Sequence, residues 1–113
     1  MNRDFALFQK EFKKWQQRFG LMGYNVFFRY EEIPHVFADI TVKQTDMVAV
    51  VRLNSKLDDV DKPCKDIRAT AKHEAIHLLT ARLAENARYR YIAENEIDEA
   101  LEELVKKLEA LIQ

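Results

Sequence analysis

The chain has 113 residues, enough for one domain with a real core and too few for a second. Its 48% apolar and 33% charged residues exclude disorder, and a net charge of −1 provides no field to recruit nucleic acid or an anionic membrane. The single cysteine, Cys64, excludes an intramolecular disulfide. With no signal-like start and no run of membrane-spanning length, the cytoplasm is the expected compartment.

Over residues 2–19, Phe5, Phe8, Phe12, Trp15 and Phe19 recur at alternating spacings of three and four. This spacing predicts an amphipathic helix whose rings fill the core, with Gly20 as C-cap. From Tyr24 the period changes to two. Three strands are predicted near 24–30, 35–43 and 47–54, the last two as a hairpin turning at 43–46. Met47 to Leu53 is nearly all apolar, as in a strand covered on both faces.

A polar connection follows to a second helix, with Asp58 or Asp61 as N-cap and Pro63 in its first turn, running to about Leu83. Cys64, beside Pro63, reads as a small packed residue rather than a reactive thiol. The segment 84–93 leads to a last helix. Asn95 and Asp98 there resemble a capping box, and Ile97, Leu101, Leu104, Leu108 and Leu111 form an apolar stripe. The stripe is expected to be spent on the core rather than on dimerisation, so a monomer is expected.

Within the second helix lies His73-Glu74-Ala75-Ile76-His77, an H-E-x-x-H pattern. On a helix, residues i and i+4 share a face, so both imidazoles can reach one metal ion. Glu74 then stands beside the open coordination position, where a general base is needed. By chance alone a chain of this size carries the pattern roughly a few times in a thousand. Ala75 and Ile76 at the variable positions suit a buried cleft.

A zinc site needs a third protein ligand. His35, the remaining histidine, precedes the second strand and is a poor candidate. The last helix offers Glu94, Glu96, Asp98, Glu99, Glu102, Glu103 and Glu109. If the two helices pack antiparallel, the counterpart of His77 lies near Leu101. Glu102 fits that depth best. Glu96 ranks second, with a helix-dipole role as its simpler explanation, and Glu103 third. Glu99 points away from the stripe.

Thr70 to Leu79, Thr-Ala-Lys-His-Glu-Ala-Ile-His-Leu-Leu, resembles the active-site helix of the zincin metallopeptidases. The order of elements is similar to the smallest gluzincins, or minigluzincins, and to small phage-encoded metallopeptidases. The tail Glu102 to Glu109 is similar to their closing helix, which supports Glu102 as third ligand. The resemblance implies an α+β, minimal zincin-like domain over residues 1–113: N-terminal helix, three-stranded mixed sheet, H-E-x-x-H helix and C-terminal Glu-bearing helix. It further implies a zinc-dependent endopeptidase whose protein or peptide substrate lies extended along an edge strand, expected at 36–43. His73, His77 and Glu102 would hold one Zn²⁺, and Glu74 would be the base for a metal-activated water. Tyr89, Tyr91, Arg88 and Arg90 are candidate donors to the oxyanion. The competing reading is a catalytically silent or latent zincin-fold module that binds a protein partner.

Overall fold

The computed structural model describes residues 2–57, 65–88 and 93–112. Asn2 starts helix α1 (Arg3–Arg18): its side-chain oxygen accepts from the N–H of Asp4 at 2.8 Å and of Phe5 at 3.1 Å. The helix closes as a Schellman motif. Gly20 takes φ +71°, the Leu21 N–H donates to the Gln16 carbonyl (2.9 Å), and the Gly20 N–H donates to that of Gln17 (3.1 Å). Phe8, Phe12 and Trp15 are buried as expected. Phe28, on strand β1 (Asn25–Glu31), meets Phe8 and Phe12 edge-on, with ring planes at 88° and 84°.

Strands β2 (Ala38–Lys43) and β3 (Val48–Asn54) form the expected hairpin. The sheet is mixed, in the order β1-β3-β2, with β1 parallel and β2 antiparallel to β3. Central β3 accounts for the apolar run, but not by two-sided cover. Ala49, Val51 and Leu53 enter the core with α1. Val48, Val50 and Arg52 are half-buried on the other face, where Arg52 is paired with Asp39 and with Glu31 (3.4 Å). The apolar side chains between two neighbouring strands are thus sheltered laterally rather than by a second layer.

Strand β2 begins at Ala38, later than the expected residue 35. His35 has φ +66°, a left-handed conformation that interrupts an extended run. Buried Asn54 holds this approach in place. Its Nδ2 donates to the carbonyls of Ile33 (2.7 Å) and Val36 (2.8 Å), and its Oδ1 accepts from the Ile33 N–H (3.2 Å). Strand β2 lies at an edge of the sheet, so its outer side is unpaired among the described residues.

Helix α2 (Ile67–Arg88) starts after Asp66, whose Oδ1 accepts from the Ala69 N–H at 3.1 Å. Asp66 is therefore the cap, in place of the expected Asp58 or Asp61. Those two, Pro63 and Cys64 lie outside the described residues. The helix continues past Leu83 to Arg88. Helix α3 (Glu94–Leu111) is preceded by Ala93, which makes no side-chain cap, so Asn95 sits inside the first turn and the expected capping box does not form. Acidic Glu94 and Glu96 meet the positive end of the helix dipole instead. Arg88 ties the two helices together, at 3.1 Å from Asp98 and 3.8 Å from Glu94.

The face that α3 turns inward differs from the expected leucine stripe. Ile97 and Val105 are buried and Leu101, Leu108 and Ile112 half-buried, while Leu104 and Leu111 are exposed. The observed architecture is thus α+β, three helices with a three-stranded mixed sheet. No helix among the described residues is long and apolar enough to cross a membrane.

Candidate metal centre

The H-E-x-x-H residues fall mid-helix in α2, so His73 and His77 project from one face, one turn apart. Their rings meet at 4.8 Å between centroids. Helix α3 brings Glu102 onto the pair. Glu102 Oε1 lies 3.0 Å from His73 Nε2 and 3.1 Å from His77 Nε2, and the two Nε2 atoms are 3.2 Å apart. Tetrahedral zinc with bonds of about 2.0–2.1 Å separates its ligand atoms by about 3.3–3.4 Å. The triangle formed here is close to one face of such a tetrahedron. Among the described residues, this is the group of His, Cys, Asp or Glu side chains arranged to hold a metal ion.

The protons point the same way. His73 Nδ1 faces the Glu109 carboxylate and hydrogen-bonds to it, which assigns the proton to Nδ1 and leaves Nε2 a bare lone pair. That lone pair faces a carboxylate oxygen and a second imidazole. One proton on His77 Nε2 serves both neighbours only as a shared, bifurcated bond, whereas a single cation is met by all three atoms at once. Glu102 Oε2 is buried and has no hydrogen-bond partner among the described residues. The donor set of two imidazoles and a carboxylate, with an outer carboxylate fixing one tautomer, could hold a divalent metal ion.

Glu109, one of the carboxylates on α3 but not among the three ranked as ligands, comes to the site as the partner of His73 Nδ1. Its signal is the heptad: seven residues after Glu102, it shares a side of α3 and arrives one ring atom further out. Glu96 and Glu103 do not come to the site. Both are exposed on the far flank of α3, and Glu103 pairs with Lys107 at 3.1 Å. His35 lines the cleft but is outside the ligand group. Arg88 is engaged with Asp98 and Glu94 rather than poised over the centre, and Tyr89, Arg90 and Tyr91 lie outside the described residues.

The three candidate ligand atoms open into a cleft of about 600 Å³ between β2 and α2, walled by Ala38, Asp39 and Ile40 on one side and by Thr70 and Glu74 on the other. Glu74 is 5% exposed, so its charge is poorly solvated. Burial pushes its carboxyl up from 4.5 to about 7, helped by the negative charges of Glu102, Asp39 and Glu109 and opposed by His73. Burial also lowers His77, against the pull of Glu102, which favours the neutral imidazole that metals need.

The Glu74 shift has a testable consequence for the metal-free protein. A carboxyl raised in the folded state contributes stability in full below about pH 4.5, and that contribution is lost as pH rises through about 7. Relative to Glu74→Gln, the chelated wild-type chain is expected to lose about 3 kcal/mol between pH 4.5 and 8. Urea denaturation of both proteins at the two pH values measures it. The difference between them cancels His77, whose lowered pKa works with the opposite sign. Parallel pH profiles would refute the assignment.

No protein-family model, curated protein or solved structure matches the chain.

Proposed function

We propose that the domain is a zinc-dependent endopeptidase with a minimal zincin fold, of the small gluzincin type. The observation that carries this reading is the meeting of His73 Nε2, His77 Nε2 and Glu102 Oε1 within 3.0–3.2 Å of one another, beside Glu74, in an open cleft. When bound, zinc supplies Lewis acidity, lowering the pKa of a water molecule and polarising the carbonyl to be attacked. Every other part belongs to the chain. His73 and His77 stay neutral and bind through Nε2, and Glu109 holds the His73 ring by its Nδ1–H. Beside a dication the Glu74 carboxyl is drawn back towards its ionised form, ready to accept the water proton. Glu74 then delivers that proton to the leaving amine. The unpaired side of β2 offers main-chain hydrogen bonds to a substrate strand lying along the same cleft. A buried base favours this reading over a silent zincin-fold binding module, which has no use for one.

The test uses protein purified without a histidine tag. Mass spectrometry is expected to find close to one zinc per chain, lost in His73→Ala. Proteolysis of an unfolded protein should stop on chelation and return with added zinc. Undiminished zinc in His73→Ala would sink the reading, as would proteolysis indifferent to the chelator.

A further inference from the structure

Lys72 immediately precedes the H-E-x-x-H residues and is not one of the groups that would bind metal or carry a proton. Its side chain crosses from α2 to the end of α3. There Nζ donates to the Glu109 carbonyl (2.6 Å) and to that of Ile112, and it sits 5.3 Å from the centroid of the Trp15 ring. Helix α3 carries no basic residue in its own last turn. Its unpaired carbonyls and the negative end of its dipole are therefore met by a cation from another helix. The same turn bears Glu109, the partner of His73 Nδ1. Two adjacent side chains of α2 thus grip one turn of α3, Lys72 at its backbone carbonyls and His73 at the Glu109 carboxylate.

We propose that Lys72 is a positioning residue of the metal centre: by clamping the last turn of α3 it fixes Glu109, and through Glu109 the tautomer and orientation of His73. The proposal rests on the metal-binding reading of the site. Without the clamp the last turn is held only by the half-buried Leu108 and Ile112, and a helix end so loosely held frays and carries the Glu109 carboxylate away from the ring. Glu102 lies about 10 Å further up the helix, where buried Val105 already anchors it. Lys72 therefore acts on the outer partner rather than on the third ligand.

The experiment compares wild type, Lys72→Met, Lys72→Arg, Glu109→Gln and the double variant Lys72→Met/Glu109→Gln. Zinc affinity is read by chelator competition and ligand geometry by the visible spectrum of the cobalt-substituted protein. Lys72→Met keeps the apolar stem beside Trp15 and removes the cation. It is expected to weaken zinc about 10-fold, the scale of an outer-shell partner, and to change the cobalt spectrum as Glu109→Gln does. The double variant should lose no more than the worse single one, since both act through one hydrogen bond. Lys72→Arg, which keeps donors and charge, should recover affinity and spectrum. Should Lys72→Met fail to fold, Lys72→Gln takes its place in the same comparison. Wild-type affinity and spectrum in the Met or Gln variant would overturn the proposal, and so would additive losses in the double variant. Zinc and cobalt failing to bind wild type would overturn the reading of the site itself. None of these measurements depends on peptidase activity.

Discussion

Glu74→Gln is expected to keep its zinc and lose proteolysis by about 10²- to 10⁴-fold, the usual contribution of a positioned general base. The amide matches the carboxylate in shape and fills the same buried position, so the ligand triangle of His73, His77 and Glu102 has no cause to move. What it cannot do is accept a proton. The substitution therefore separates the two halves of the proposal. Zinc content tests the site, and the rate on an unfolded substrate tests the chemistry. Retained zinc with a wild-type rate would mean that the cleavage comes from a contaminating protease. Loss of zinc together with activity would mean that Glu74 supports the ligands rather than the reaction. The chelated variant should also gain on the wild type as pH rises from 4.5 to 8, because it takes on no charge in a poorly solvated position.

The elements that could be read from the sequence were those whose burial follows a simple period. Phe8, Phe12 and Trp15 obey the helical repeat and are buried, and the apolar run of β3 marks a central strand. Its one-sided burial was not legible, because lateral shelter and a second layer leave the same composition. The leucine stripe of α3 misled for a geometric reason. From Ile97 to Leu111 it repeats every 3.5 residues, while a straight helix turns once in 3.6, so the stripe slips about 20° per heptad. By the end of the helix Leu111 has rotated into solvent and Ile112 has taken the inner place. The slip also matters to the site. With Val105 and Ile112 inside, Glu102 and Glu109 border the buried face on the side of the two imidazoles. Glu102 could be found from depth along the helix alone. Glu109 could not, since on a helix this acidic a carboxylate reads as solvated unless its neighbour across the interface is known.

Glu102→Ala is expected to weaken zinc by more than about 100-fold, beyond the 10- to 100-fold typical of groups that only bond to a ligand, because in the proposed site it removes one of three protein ligands. Glu96→Ala and Glu103→Ala, on the exposed flank of the same helix, should leave affinity unchanged. Glu109→Gln should fall between. The neutral amide can still accept from His73 Nδ1 through its oxygen, but it no longer raises the basicity of the ring. The ordering is more informative than any one value. A helix that merely carried diffuse negative charge towards the metal would give similar losses at Glu96, Glu102, Glu103 and Glu109, each screened alike by salt. Direct ligation gives one large loss that salt does not relieve, one intermediate loss and two null results. Chelator competition at low and high ionic strength decides between the two patterns. A loss at Glu96 equal to that at Glu102 would mean that α3 meets α2 on the flank that bears Glu96 and Glu103 rather than on that of Glu102 and Glu109.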